Sequence, residues 1–453
     1  MNILLPIETI NRELDFKLVL SSLLAEKGHR IYVGQHDFLM KLLPKLKNGV
    51  YIGKNIFHNF SDIEDGRFLK EIKNKGIDVI YLHEEGAVFK GDEEKWKETL
   101  SRQYNLEFFN EQDVVCLWGD FQKTYDETRS QSLRLEVTGH PRFDLYKEEW
   151  QSYFESEIQK IKEKYGNYIL INGNYGLYNH GLGLEYVLSD IVGYHPEDPV
   201  SRMERIDFIN YTGSQCLSMV QLTHYLSITY PDMNFVYRPH PSENQNFYET
   251  VFKDVKNIFV NHDGAVSPWI LASQAIIHDG CTTALEASLA GKPVINYKPV
   301  ENIENDIWLP NQLGIRCETN EEVKEIIDNL KNYSFKIEDI ESEEKVKSLV
   351  YNFGNDSFAK LISLVDEEAI LKDHKLSLHP KDSFIKLQYL IADTKRQLYL
   401  LKNKNSKQAA AYHKRKFYGF DKTYIKRKVD VLEKMLDKKI DLKYHNSYLI
   451  EIK

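Results

Sequence analysis

The sequence predicts an α/β protein of two facing doubly wound domains followed by a C-terminal helical extension. Three observations predict it. Short apolar runs alternate with helical stretches through roughly the first 330 residues, a charged stretch with no strand interrupts that rhythm once, and beyond residue 337 the strand signal fades. The boundaries that follow are 1–150 for an N-terminal domain, 151–336 for a second domain, and 337–453 for a basic helical extension.

The elements follow in order. Ile3 to Pro6 reads as a short buried strand. Asn11 to Lys27 carries Leu14, Leu18, Leu20, Leu23 and Leu24 near helical spacing and stops at Gly28. His29 to Val33 is a second strand, so the chain opens with a strand–helix–strand unit and hence a parallel sheet. Asp78–Tyr81, Asp113–Trp118 and Leu135–Thr138 continue it. Lys147 to Tyr165 is a charged helix that marks the crossing between domains. The rhythm restarts with Tyr168–Ile171, a helix over Gln215–Thr229, and strands at Asn234–Tyr237, Asn257–Val260, Gln274–Ile277 and Pro293–Asn296. The stretch 182–210 reads as an insertion without an assigned structure. In sheets of this kind ligands bind beyond the C-terminal strand ends, so a cleft there is the expected site.

Composition narrows the function. With 42% hydrophobic residues in 453, the chain buries substantial cores, and a net charge of −9 excludes a uniformly basic nucleic-acid binder. The four cysteines, at 116, 216, 281 and 317, form no paired motif, which fits a reducing compartment. No apolar window is long enough for a membrane span, and the N-terminus has no signal-like apolar run, so a cytoplasmic protein is expected.

Charge is nonetheless concentrated in one place. Between 395 and 428 stand twelve Lys or Arg against the single acid Asp421, interleaved with Tyr399, Tyr412, Phe417, Tyr418, Phe420 and Tyr424. That pattern fits adhesion to an anionic membrane surface on the inner face of the cytoplasmic membrane, and no RNA-recognition module accompanies it.

Four groups of residues could carry chemistry. His278-Asp-Gly-Cys-Thr-Thr-Ala-Leu-Glu286 joins a strand to a helix start, where Gly280, Thr282 and Thr283 would meet a phosphate and Glu286 a ribose hydroxyl. Arg238-Pro-His-Pro241 follows a strand, its prolines stiffening a loop that carries a phosphate-pairing arginine and a histidine, His240. Asn172-Gly-Asn174 sits at a strand end of the second domain, where a nucleotide would approach. In the first domain, Glu84-Glu85 and His140-Pro-Arg142-Phe-Asp144 place acids beyond two strand ends, as glycosyl transfer needs: one carboxyl to move a proton, one as nucleophile or base. Glu8, Arg12 and Glu13, with His140 and Arg142, would line the acceptor side.

These residues together, with Pro6-Ile-Glu8, Asn11-Arg-Glu-Leu-Asp15 and Gly291-Lys-Pro293, resemble the GT-B glycosyltransferases of bacterial surface polysaccharide synthesis over residues 1 to 330. More narrowly, they look like the retaining β-Kdo and CMP-nonulosonic acid transferases. The resemblance implies two Rossmann-like domains and a CMP-sugar donor carrying Kdo or a related nonulosonic acid. It also implies a glycan or lipid-linked glycan acceptor, and neither cofactor nor metal; no Asp-x-Asp occurs in the sequence. By the same resemblance His240-Pro241 and Thr282-Thr283 hold the CMP phosphate, although the family more often has serines at that pair. Asp144 would stand at the anomeric carbon and Glu85 would transfer the proton, with Glu84 an equal candidate by sequence. The rival readings are a teichoic-acid-type polymerase using a CDP-polyol, a UDP-sugar transferase, a nucleotide-sugar 2-epimerase, and a non-catalytic scaffold.

Overall fold

The computed structural model describes residues 1–54, 56, 66–84, 86, 89–101, 103–330, 349–371, 377–402 and 416–453. The chain divides into two compact units. The first comprises Met1–Gly86, Lys97–Leu145 and Glu344–Lys453, and the second Ala87–Trp96 and Tyr146–Glu343. Each is α/β and built on a parallel sheet, as the alternating apolar runs require.

The first unit begins with β1 (Asn2–Ile7), β2 (Arg30–Gln35), β3 (Gly49–Ile52), β4 (Ile77–Leu82), β5 (Val114–Leu117) and β6 (Arg134–Val137), all in parallel register with their neighbours. β1 is buried at all six positions, which is why it reads as a continuous apolar run rather than an alternating one. The second unit contains β7 (Tyr168–Asn172), β8 (Asn234–Arg238), β9 (Ile258–Val260), β10 (Ala275–His278), β11 (Val294–Tyr297) and β12 (Ile315–Cys317). They lie in the order β12-β11-β10-β7-β8-β9, again all parallel.

One face of this second sheet (Ile169, Ile171, Phe235, Tyr237, Ile277, Ile295) packs against Cys216, Met219, Leu222 and Leu226 of the long helix Pro199–Thr229. That helix starts sixteen residues earlier than the sequence periodicity suggests, inside the stretch read as an insertion. Asp198 opens it, its carboxylate accepting from Val200 and Ser201 amides.

The C-terminal extension is helical, as expected, with helices Ser357–Leu371, Asp382–Lys402 and Lys422–Leu436. It then does something the charge run concealed. β13 (Leu442–Asn446) and β14 (Leu449–Ile452) form an antiparallel hairpin, and β14 adds to the free edge of β2, so the first sheet runs β13-β14-β2-β1-β3-β4-β5-β6. Leu449, Ile450 and Ile452 are fully buried there. The extension therefore belongs to the first unit. It also departs from a uniformly solvated basic surface over 395–428: Lys416 is ion-paired with Glu8 at 2.8 Å and Lys428 is 1% exposed. Residues 403–415 of that stretch lie outside the described residues.

Candidate functional site

In the second unit, β10, β7 and β8 are neighbours, so the loops leaving their C-terminal ends lie side by side, about 5 Å from strand to strand. The last row in register across them is polar: Arg238, Asn172, His278 and Asn296. Glu243 ties two of the loops together. It is buried, and Oε1 accepts the amides of His240 at 2.9 Å and Tyr175 at 3.1 Å, while Oε2 accepts the Tyr248 hydroxyl. Burial raises its pKa to about 7 against the pull of those donors. Backbone bonds from Gly181 to Ser242 and from Asn244 to Asn179 zip the same loops further along.

His240 is half-buried. Its Nδ1 accepts the Ser242 amide at 3.2 Å and lies 2.7 Å from Ser242 Oγ, so the neutral ring carries its proton on Nε2. At Gly176 a Cβ would come within 2.4 Å of Ser242 Oγ, so a side chain there would displace that hydroxyl from His240.

The loop after β10 is braced differently. Asp279 is buried and pairs at 2.9 Å with Lys298, which leaves β11 and also meets Asp306 at 2.7 Å and the Tyr211 hydroxyl. Burial opposes charge on both partners of the first pair, raising Asp279, whereas the surrounding acids outweigh burial and hold Lys298 firmly protonated. Asn311 receives the Gly280 amide at 2.9 Å and itself donates to Asp306. Gly280 sits at φ 58° with Ile307 Cγ1 2.7 Å from where a Cβ would be. Beyond it the helix Thr283–Leu289 is only seven residues long.

Among the polar atoms buried around these loops with no hydrogen-bond partner among the described residues are Asn172 Oδ1, Tyr175 OH and Thr283 Oγ1, with His278 Nδ1 and Asn296 Oδ1 in the strand-end row itself. An unpaired buried polar atom costs about 1–3 kcal/mol, so a cluster of them at strand ends marks a place for a polar ligand or water. Asn174 borders the same loop, Pro241 is exposed, Thr282 is half-buried, and Glu286 is buried on the short helix.

Arg238, expected to pair with a phosphate, has its two terminal nitrogens donating to the carbonyls of Asp263 at 3.1 Å and Gly264 at 2.6 Å, and its plane lies over Trp269. Burial lowers its pKa to about 10, and one N–H of each terminal nitrogen goes to holding the 263–264 loop.

The first unit has a second centre, at the C-terminal ends of β1 and β4. Lys17, wholly buried on the helix Ile10–Glu26, donates to the Pro6 carbonyl, to Glu13 at 2.8 Å and to Glu84 at 2.9 Å. Burial works against its charge, but Glu13 and then Glu84 outweigh it, and its pKa is raised. Burial likewise raises Glu84, with Glu13 adding and Lys17 opposing. Glu84 Oε2 has no hydrogen-bond partner among the described residues. Trp118 holds the loop, donating to the His83 carbonyl at 2.8 Å and leaving no room for a Cβ at Gly86. Glu85 lies outside the described residues.

His140 stands next to this centre. Burial drives its pKa well down, with Arg142 next in effect; its Nδ1 accepts the Arg142 amide at 3.1 Å, and Nε2 has no partner among the described residues. Arg142 reaches the Glu84 carbonyl at 3.5 Å. Glu8 is half-buried and engaged with Lys416, and Arg12 lies in the first turn of its helix.

Asp144, expected at the anomeric carbon, is 1% exposed, with Oδ1 taking Asn352 at 2.7 Å and Oδ2 the amides of Ser357 at 2.6 Å and Phe358 at 3.2 Å. Asn352 in turn clamps both backbone groups of His140. A carboxylate so engaged caps the helix Ser357–Leu371.

Sequence reasoning passed over Lys17, Glu243, Asp279, Lys298 and Asn352, and it named Glu13 for the acceptor side without its partner Lys17. Glu243 and Asp279 stand inside motifs already singled out, and their signal was an acid next to a proline- or glycine-bearing strand end. Asn352 had none, since its partners are more than 200 positions away. Among the described residues no helix is long and apolar enough to cross a membrane.

No protein-family model matches the sequence, and no curated protein matches it. Similarity to solved structures exists at low identity. The UDP-GlcNAc 2-epimerase of Methanocaldococcus jannaschii, in complex with UDP-GlcNAc and UDP, is 12% identical at a TM-score of 0.48, covering 81% of this chain and 100% of its own. The Neisseria meningitidis UDP-GlcNAc 2-epimerase bound to UDP-GlcNAc is 15% identical at 0.45, with coverages of 81% and 100%. The wall teichoic acid polymerase TagF with CDPG is 10% identical at 0.43, covering 82% of this chain and 90% of its own. At these identities the likeness is one of fold.

Proposed function

We propose that the protein is a glycosyltransferase that holds a nucleotide-activated sugar in its second unit and passes the sugar to a glycan acceptor. The observation that carries this is the trio of adjoining strand-end loops after β10, β7 and β8. Glu243 ties the loops after β7 and β8 together, Lys298 and Asn311 brace the loop after β10, and Asn172 Oδ1, Tyr175 OH and Thr283 Oγ1 are buried beside them with no hydrogen-bond partner among the described residues. A preorganised polar floor at the C-terminal ends of a parallel sheet is where such folds take nucleotides.

In this reading His240 offers its Nε2–H to the phosphate, and Thr283 gives a hydroxyl whose burial is satisfied only when ligand is bound. The donor is a CMP-sugar carrying Kdo or a related nonulosonic acid. What supports that finer choice is the sequence resemblance at His240-Pro241 and Thr282-Thr283. Transfer breaks the bond between the anomeric carbon and the phosphate oxygen, CMP leaves, and the acceptor hydroxyl takes its place while giving up its proton.

For that proton the reading names Glu84, whose pKa is raised by burial and then by Glu13; Asp144 is assigned to holding the fold. An acceptor carried on a membrane lipid, and attachment of the protein to an anionic membrane surface, belong to the same reading.

A thermal-unfolding series with CMP, CDP, UMP, UDP and GDP tests it. A ligand at 100 times its Kd adds about 2.7 kcal/mol of stability. Stabilisation by CMP above the others is the expected result. A preference for UDP would move the assignment to a UDP-sugar enzyme, and silence with every nucleotide would overturn the nucleotide-binding floor.

A further inference from the structure

The helix Asp382–Lys402 has two unlike faces. On one side Ile385 is buried, Tyr389 meets the Tyr448 ring at 5.8 Å, and Arg396 donates to the Tyr448 hydroxyl at 2.7 Å; at its start Asp382 pairs with Lys443 of β13. At 100° per residue, the opposite side carries Leu387, Leu390, Ile391, Thr394 and Leu398 in one continuous stripe. That stripe is not buried: Leu387, Leu390 and Leu398 are each more than half exposed and Ile391 is 39% exposed. A helix anchored to its own sheet with four large aliphatic side chains aligned in water is an interaction surface rather than scattered surface residues.

We infer that this stripe is the apolar half of a membrane-docking surface, and that its occupant is an anionic lipid bilayer. The inference rests on the reading that the protein works at a membrane and says which side chains enter it. Charge chooses the occupant. Lys386 and Lys395, both exposed, stand along the two rims of the stripe, with Asp393 beside Lys386, and the sequence continues with Lys402, Lys404, Lys407, Lys414 and Arg415 before the next acid, Asp421. Two copies of this chain meeting here would bring two net-positive segments together, whereas anionic headgroups pair with the excess of lysines while the leucines enter the acyl boundary. The sequence alone offered only electrostatic adhesion through 395–428; the fold spends Lys416 and Lys428 elsewhere and adds an apolar contact upstream.

The test is co-sedimentation of the full chain with vesicles of phosphatidylethanolamine and phosphatidylglycerol, against pure phosphatidylcholine. Wild type should bind the anionic vesicles, and the Leu390→Glu/Leu398→Glu variant should bind them at least about tenfold more weakly with an unchanged unfolding transition. Leu398→Trp should add a component to the emission that shifts to the blue when anionic vesicles are added. If wild type and the double variant bind alike, or the indole introduced by Leu398→Trp stays in water on bound protein, the stripe is not the docking face although the membrane reading survives. If wild type binds neither vesicle, both fail. A concentration-dependent dimer in sedimentation velocity that the double variant dissolves would assign the stripe to a second copy and overturn the inference.

Discussion

Lys17 and Glu84 meet at 2.9 Å with neither side chain more than 1% exposed, although 67 positions separate them. The contact joins the first helix to the loop after β4 and, with Glu13 on the far side of the same ammonium, makes a buried acid–base–acid group. Its charge does not balance, which is why burial and Glu13 together raise Glu84. A buried carboxyl whose pKa its own fold raises is the material of a proton-transfer group.

Removing the cation should therefore be worse than removing one of the acids. Lys17→Met leaves two carboxyls buried beside each other, and we expect a loss of about 3–5 kcal/mol in urea unfolding. Lys17→Met/Glu84→Gln should recover part of that loss, because the repulsion goes with the second acid. If the double variant is no more stable than Lys17→Met, the three groups do not act together.

Asp144 should behave as a fastening. Asp144→Ala strips Asn352 and two helix amides of their acceptor, and a cost of about 3 kcal/mol is expected in urea unfolding, with CMP-induced stabilisation per bound ligand unchanged. Asn352→Ala should fall in the same range and be non-additive with it. An Asp144→Asn protein of wild-type stability that had lost turnover would restore the carboxylate to the chemistry.

The sheets were legible because buried parallel strands such as β1 and β7 are unbroken apolar runs, and the loops were legible because Gly280, Pro239 and Pro241 punctuate them. Where a side chain's partners come from distant chain, the pattern fell silent. Asp144 and Arg238 look like site residues in sequence, and nothing local says that Asn352 or the 263–264 carbonyls already occupy them. Short strands failed for a different reason. β3 and β12 have four and three residues, and Leu442-Lys-Tyr-His-Asn446 alternates weakly amid charge, so their pairing with β1, β11 and β14 is decided by edges the sequence does not display.

Thr283→Val separates stability from binding. The hydroxyl is buried and has no partner among the described residues, so its loss should leave the unliganded protein as stable as before or slightly more so. If Thr283 contacts the phosphate, CMP affinity should fall about tenfold, or 1.4 kcal/mol, read by titration. Gly280→Ala should instead damage both, because φ 58° and the approach of Ile307 leave no place for a methyl group. Unchanged CMP affinity in Thr283→Val would remove that residue from the floor.

Glu243 gives the second unit a pH dependence whose sign can be worked out. Its folded pKa of about 7 lies above the usual 4.5, so the native state holds this proton more tightly than the unfolded chain does. The stability it contributes is complete below 4.5, falls as pH rises, and is gone above about 7, a change of about 3 kcal/mol for a fully buried carboxyl. Glu243→Gln keeps an oxygen for the His240 and Tyr175 amides and cannot ionise. Urea unfolding measured from pH 5 to 8 should therefore decline for wild type and flatten for the variant, with the curves closest at the acid end. CMP binding by the variant should survive, since the His240 loop keeps its brace. Parallel pH profiles would mean that Glu243 is already ionised in the fold, and that some other group sets the stability of the loops that carry His240.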